Sequence, residues 1–167
     1  MAVTVEQIRT LRESTGAGIL ECKQALEDNG GDFDKAAEAL RQKGFAQAAK
    51  RANRETSEGV IESYIHTGGR VGALVELGCE TDFVARTPEF KQLAHDIAMQ
   101  VAAMSPAYVS AEEIAEDDTR PPAQVSLLQQ PFIKDGSRVV ADMVQELAAK
   151  VGENVRVVRF SRLALEE

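Results

Sequence analysis

The sequence predicts an α+β chain: three short helices, then a small antiparallel sheet of about three strands with helices on one face. Three observations carry this expectation. Apolar residues over the first fifty positions recur at helical spacing between clear caps. Two β-rich runs then meet at a Gly-Gly pair. Finally, two amphipathic helices follow, the second leading into a last β-rich run.

Thr4 and Gln7 make a capping box in which each side chain covers an orphan amide, and Ile8 and Leu11 supply the inward stripe of a helix ending near Thr15. Gly16-Ala17-Gly18 is a tight link into a second helix, carried by Leu20, Lys23, Ala25 and Leu26 and stopped at Asn29-Gly30-Gly31. Asp32 caps a third helix with Phe33, Ala36, Ala37 and Leu40 on its apolar side, and Gly44 is expected to break or end it. The expected organisation is a three-helix module over 1–50, a polar linker over 51–57 and an α+β core over 58–167.

Within that core, Val60 to Thr67 and Val71 to Cys79 read as strands of a hairpin whose turn, Gly68-Gly69, accepts positive φ. Val71, Ala73, Val75, Leu77 and Cys79 share one face. Thr87-Pro88 is an N-cap and first-turn pair for a helix that lays Phe90, Leu93, Ile97, Val101 and Met104 on the sheet. The stretch around 106–131, with Arg120-Pro121-Pro122, reads as an irregular extended connection containing one short helix over Ala111 to Ala115. A helix with Val140, Met143, Val144, Leu147 and Val151 inward closes at Gly152. Asn154 to Leu163 is the final strand, its alternation interrupted by Arg156, Arg159 and Arg162.

Composition narrows the function classes. The 167 residues, 44% hydrophobic, suffice for one ordinary domain or a small one plus a modest second. A formal charge of -8 repels phosphates, so no direct nucleic-acid contact is expected, and Lys43, Lys50, Arg51 and Arg54 read as a solvated helix face. No apolar stretch approaches the roughly 20 residues that span a bilayer, and Met1 to Gln7 lacks the pattern of a signal peptide. The expected location is the cytoplasm, away from membranes. Cys22 and Cys79 lie in apolar patterns and read as small buried hydrophobes in a reducing compartment.

A search for catalysis finds none. No phosphate cradle follows any predicted strand, no metal site or cofactor is indicated, and no nucleophile has a supporting base. His66 and His95 read as surface residues without a task, His95 projecting away from the apolar stripe of its helix. The chain is therefore expected to bind rather than to catalyse.

What remains is Thr81-Asp82-Phe83-Val84, between the second strand and the helix at Pro88. A phenylalanine outside both periodic stripes has two readings from pattern alone. Phe83 could tuck under the loop as a satellite of the core, with Thr81 or Asp82 as a cap. Alternatively it is a presented wedge, an apolar ring beside a carboxylate on a strand-to-helix corner.

Glu80-Thr81-Asp82-Phe83-Val84-Ala85-Arg86 resembles the signature of the elongation factor Ts family, the guanine-nucleotide exchange factors of bacterial elongation factor Tu. Leu11 to Gly18 resembles that family's N-terminal block, Val71 to Cys79 its central strand and Lys150 to Asn154 its C-terminal block. The resemblance covers nearly the whole chain except about Ala107 to Val125, where the family has a longer insertion. It implies a ubiquitin-associated-like N-terminal module that docks on the partner GTPase through Ile19 and Leu20. It also implies that Thr81, Asp82, Phe83 and Val84 disturb the partner's Mg²⁺ site, and that this short form associates into a homodimer. Simple core packing is the alternative for the docking pair, and it fits Leu20 better than Ile19. Two rival classes stand beside the exchange factor: an adaptor that holds ubiquitin-like or ribosome-associated proteins through the helical module, and an α+β enzyme without visible catalytic spacing.

Overall fold

A computed structural model describes residues 3–165. Helix α1 (Val5–Thr15) starts at the expected box, with Gln7 N donating to Thr4 Oγ1 at 3.2 Å and Thr4 N donating to Gln7 Oε1 at 2.9 Å. It stops at Gly16, whose φ of 71° is left-handed. Helix α2 (Ile19–Asp28) and helix α3 (Phe33–Arg51) complete the module around fully buried Leu11, Cys22, Leu26 and Ala36.

Gly44 neither breaks nor ends α3, which runs through it to Arg51. Its reason is tertiary. A Cβ placed on Gly44 would stand 2.9 Å from the Cβ of Ala149, so the missing side chain lets α3 lie against the last long helix of the core.

The core opens with β1 (Glu58–Ile65) and β2 (Val71–Cys79), paired antiparallel, with Gly68 and Gly69 both at positive φ in the turn. After β2 come the one-turn helix α4 (Asp82–Ala85) and the long helix α5 (Pro88–Met104), the latter capped by Thr87. Phe90, Leu93, Ile97 and Val101 of α5 are buried on the sheet, whereas Met104, expected in the same stripe, is substantially exposed.

The connection over 106–131 holds more order than its prolines suggest. A 3-10 turn over Ala111–Glu113, helix α6 (Pro122–Val125) and a second 3-10 turn over Leu127–Gln129 are joined by a bridge between Tyr108 and Ser126. The unanticipated pair β3 (Pro131–Phe132) and β4 (Asp135–Val139) follows. Buried Gln100 of α5 ties it down, its amide donating to Pro131 O at 3.1 Å and its carbonyl accepting from Ile133 N at 2.9 Å.

Helix α7 (Val140–Val151) ends on Gly152, and strand β5 (Arg156–Ala164) completes a three-stranded sheet of order β1-β2-β5. The irregular alternation of the last strand is a β-bulge. Glu76 pairs with Arg159 but Leu77 with Val157, leaving Val158 as the extra residue. The bulge returns Phe160 to the helix-covered face after Val157. Arg162 then crosses the sheet end to donate from Nε to Ala102 O at 3.0 Å, a cation on the last turn of α5.

Candidate functional site

The segment singled out by sequence is built from both ends. β2 delivers it at buried Cys79, whose Sγ donates to Thr81 O at 3.2 Å. Thr81 is the N-cap of α4, its hydroxyl accepting from Val84 N at 3.4 Å. Val84 and Ala85 point into the core beneath the sheet. With those two directed inward, the helical turn directs Phe83 outward, and it is 77% exposed. The satellite-core reading of Phe83 therefore fails. Asp82 stands beside it, partly exposed and paired with Arg86 at 2.7 Å. Thr81 and Val84 thus hold the corner, while Asp82 and Phe83 form what it presents.

The exposed pair Ile19 and Leu20 opens α2. Leu20 is 80% and Ile19 57% exposed, so core packing is excluded for Leu20, the residue it was expected to fit better. The two adjacent aliphatics face water at the start of α2. The loop before them is fixed: Gly18 N donates to Glu21 Oε2 at 3.2 Å, and Lys43 of α3 bonds the other oxygen of that carboxylate at 2.7 Å. The lysine, and then the Gly18 amide, hold the Glu21 carboxyl below its ordinary range. A cleft of about 1050 Å³ is lined by both this module and the core, and on its core side Lys150 of α7 bonds Glu89 of α5 at 2.5 Å.

The histidines are not isolated. Tyr64 lies between them, its ring centroid 6.1 Å from that of His66 and 5.8 Å from that of His95. His95, off the apolar stripe of α5, faces β1, with Nδ1 3.4 Å from Glu62 Oε1. Burial pushes the Cys79 thiol up to about 11, with the negative charge of Glu153 adding to the effect. Among the described residues no His, Cys, Asp and Glu cluster has the makings of a metal site.

Three residues around the segment carry no sequence signal of their own: Glu80, Glu153 and Asn154. Glu153 accepts from Glu80 N at 3.1 Å, Thr81 N at 3.0 Å and Thr81 Oγ1 at 2.6 Å. The only hint in the sequence was that Glu80, Glu153 and Asn154 fall in blocks with a family resemblance.

The family model described as Elongation factor TS matches residues 34–121, a span that includes the exposed corner. Elongation factor Ts of Fervidobacterium nodosum is 45% identical over 197 positions, covering 100% of both chains. The relative of that name from Carboxydothermus hydrogenoformans is 46% identical, covering 99% of this chain and 90% of its own. That from Thermotoga petrophila is also 46% identical, covering 100% and 98%. The chain belongs to the elongation factor Ts family. Membership makes it a translation elongation factor. Aligning the 167 residues over 197 positions leaves 30 of those positions without a residue here. No helix among its described residues is long and apolar enough to cross a membrane.

Proposed function

We propose that the chain is a guanine-nucleotide exchange factor that binds elongation factor Tu carrying GDP in the cytoplasm and opens its nucleotide site, making and breaking no covalent bond. The observation that carries this reading is the outward Phe83 beside Asp82 on a corner anchored by Thr81 and Val84. GDP is held largely through its phosphates and their Mg²⁺, so an apolar ring and a carboxylate entering that region displace the groups that position the ion. Removing charge compensation there weakens the hold on the ligand.

Magnitudes require more than one contact. A thousandfold faster release needs about 4 kcal/mol at 1.36 kcal/mol per decade, and burying one phenylalanine supplies roughly 1.5–3 kcal/mol. Docking through Ile19 and Leu20 supports the remainder. Linkage fixes the cycle: a factor that weakens nucleotide affinity is itself weakened by nucleotide, so rebinding of GTP expels it.

A homodimer belongs to the same proposal. The sheet face turned away from α5 exposes Ile61, Ile65, Leu74 and Leu163, with the Glu76–Arg159 pair at 2.6 Å among them. A two-fold contact brings one patch onto its own copy, and a patch holding both charge signs can pair with itself. Replacing Leu74 by Glu is expected to convert a dimer into a monomer in sedimentation. A wild-type chain that sediments as a monomer at all concentrations removes this part.

Release of a fluorescent GDP analogue from elongation factor Tu, followed by stopped flow, tests the main reading. Concentration-dependent acceleration that collapses in the Asp82→Ala, Phe83→Ala double variant is expected. No acceleration at saturating protein overturns exchange and leaves the adaptor.

A further inference from the structure

Phe83 has little to steer its own ring, since most of its surface faces water; its direction is set by the backbone of residues 80–84. A four-residue helix does not sustain itself, because so short a run never repays its nucleation. Val84 and Ala85 turn Phe83 outward, and a further contact is needed to hold the corner at one angle.

Glu153, immediately after the cap of α7, meets that need. One carboxylate oxygen accepts from two consecutive backbone amides, Glu80 at 3.1 Å and Thr81 at 3.0 Å, and the other accepts from the Thr81 hydroxyl at 2.6 Å. That hydroxyl in turn accepts from Val84 N, so the carboxylate acts on the first turn of α4 through the cap. The arrangement is reciprocal. Glu80 Oε1 accepts from Asn154 N at 2.6 Å, and the other oxygen of Glu80 lies 3.5 Å from the Arg54 guanidinium. Asn154, buried, donates its side-chain amide to Ala52 O at 3.1 Å and Arg54 O at 2.8 Å. Three segments that are distant in sequence, the exit of α3, the start of the corner and the exit of α7, are therefore joined by charge-assisted and backbone hydrogen bonds.

We propose that Glu153 is the positioning residue of the presented corner and that Asn154 ties the corner to the peptide leaving α3, so that docking by the helical module and entry of Phe83 occur as motions of one body. The inference rests on the exchange reading. Misplacing a working group by about 1 Å costs up to about a hundredfold in rate, and the three hydrogen bonds accepted by Glu153 oppose such a shift.

The test is a double-mutant cycle on GDP release, read as maximal rate and half-saturating concentration of the factor. Glu153→Ala is expected to lower the maximal rate by about tenfold or more while leaving half-saturation within about twofold. If Glu153 acts through the corner, adding Glu153→Ala to Phe83→Ala costs less than about twofold further, because the ring it aims is already gone. Glu153→Gln, which keeps a carbonyl for the two amides, is expected to recover most of the loss. Should Glu153→Ala fail to melt cooperatively, Thr81→Val, which removes only the hydroxyl bond, enters the same cycle. An equal loss in both backgrounds, a change confined to half-saturation, or full rate in both Glu153→Ala and Thr81→Val overturns the proposal while leaving exchange intact. A wild-type chain that fails to accelerate release overturns both.

Discussion

Gly44 of α3 and Ala149 of α7 touch so closely that a methyl added to the first would stand 2.9 Å from the methyl of the second. Alanine in place of a helix-interior glycine normally stabilises by about 1 kcal/mol, but overpacking costs roughly 1–3 kcal/mol where neither helix can yield. We expect Gly44→Ala to destabilise by about 1 kcal/mol net, and Gly44→Ala with Ala149→Gly to recover most of it. Urea denaturation of the three proteins checks this. A single variant more stable than wild type would show that the two helices separate readily.

Ile19 and Leu20 are exposed, so truncating them removes little intramolecular packing. The double variant Ile19→Ala, Leu20→Ala should melt within about 2 °C of wild type, since surface changes alter stability by about 0.5 kcal/mol at most. In the exchange assay it should raise half-saturation by about tenfold or more, each lost aliphatic contact being worth about 1 kcal/mol or more. Its maximal rate should hold, the opposite of the Phe83 effect. A fall in maximal rate with unchanged half-saturation would remove these residues from docking.

The Glu21 carboxyl is held below its ordinary value of 4.5 by Lys43 and then by the Gly18 amide. A carboxyl depressed in the folded state stabilises it above the unfolded value, and that contribution is lost as pH falls through the lowered value. Glu21→Gln should thus lower the urea midpoint at about pH 7 and leave a smaller difference from wild type at about pH 3. The pair is largely exposed, so the effect is modest and is reduced by salt. An unchanged difference at both pH values would assign the loss to packing instead.

Both thiols are buried and raised, Cys22 by desolvation and Cys79 by desolvation with Glu153 second. Thiolate is the reactive form, so a disulfide reagent at about pH 8 should label neither in the native protein and both in urea. Rapid labelling of one thiol in the native state would reveal local opening, and at Cys79 it would place that opening beside the corner.

Signals that involve near neighbours were legible in the sequence. The Thr4–Gln7 box, the Gly68-Gly69 turn and the Thr87-Pro88 cap each depend on residues at most three apart, and all three form. What escaped depends on distant partners. Gly44 looks like a helix breaker until Ala149 is beside it, and the arginines of β5 look like failed alternation until Val158 is seen as a bulge against β2. The β3–β4 pair was hidden because its register is set by Gln100, some thirty residues earlier. At the site, pattern located the corner but left Phe83 undecided, since it is the inward packing of Val84 and Ala85 in the assembled core that turns it out. The core-packing alternative for Leu20 fails for a related reason: helical spacing does not say which face of α2 meets α1 and α3.

The bonds from Glu153 to Thr81 and from Asn154 to Ala52 span 72 and 102 positions of chain. A ribosome delivers the polypeptide in order, and early segments fold as they emerge. The helical module can assemble from contacts within its first half-hundred residues, yet the corner waits for positions 153 and 154 before its orientation is fixed. Under the proposed exchange function, a chain still being made would present Ile19 and Leu20 before Phe83 is oriented, so the order of synthesis would let it dock before it could release nucleotide.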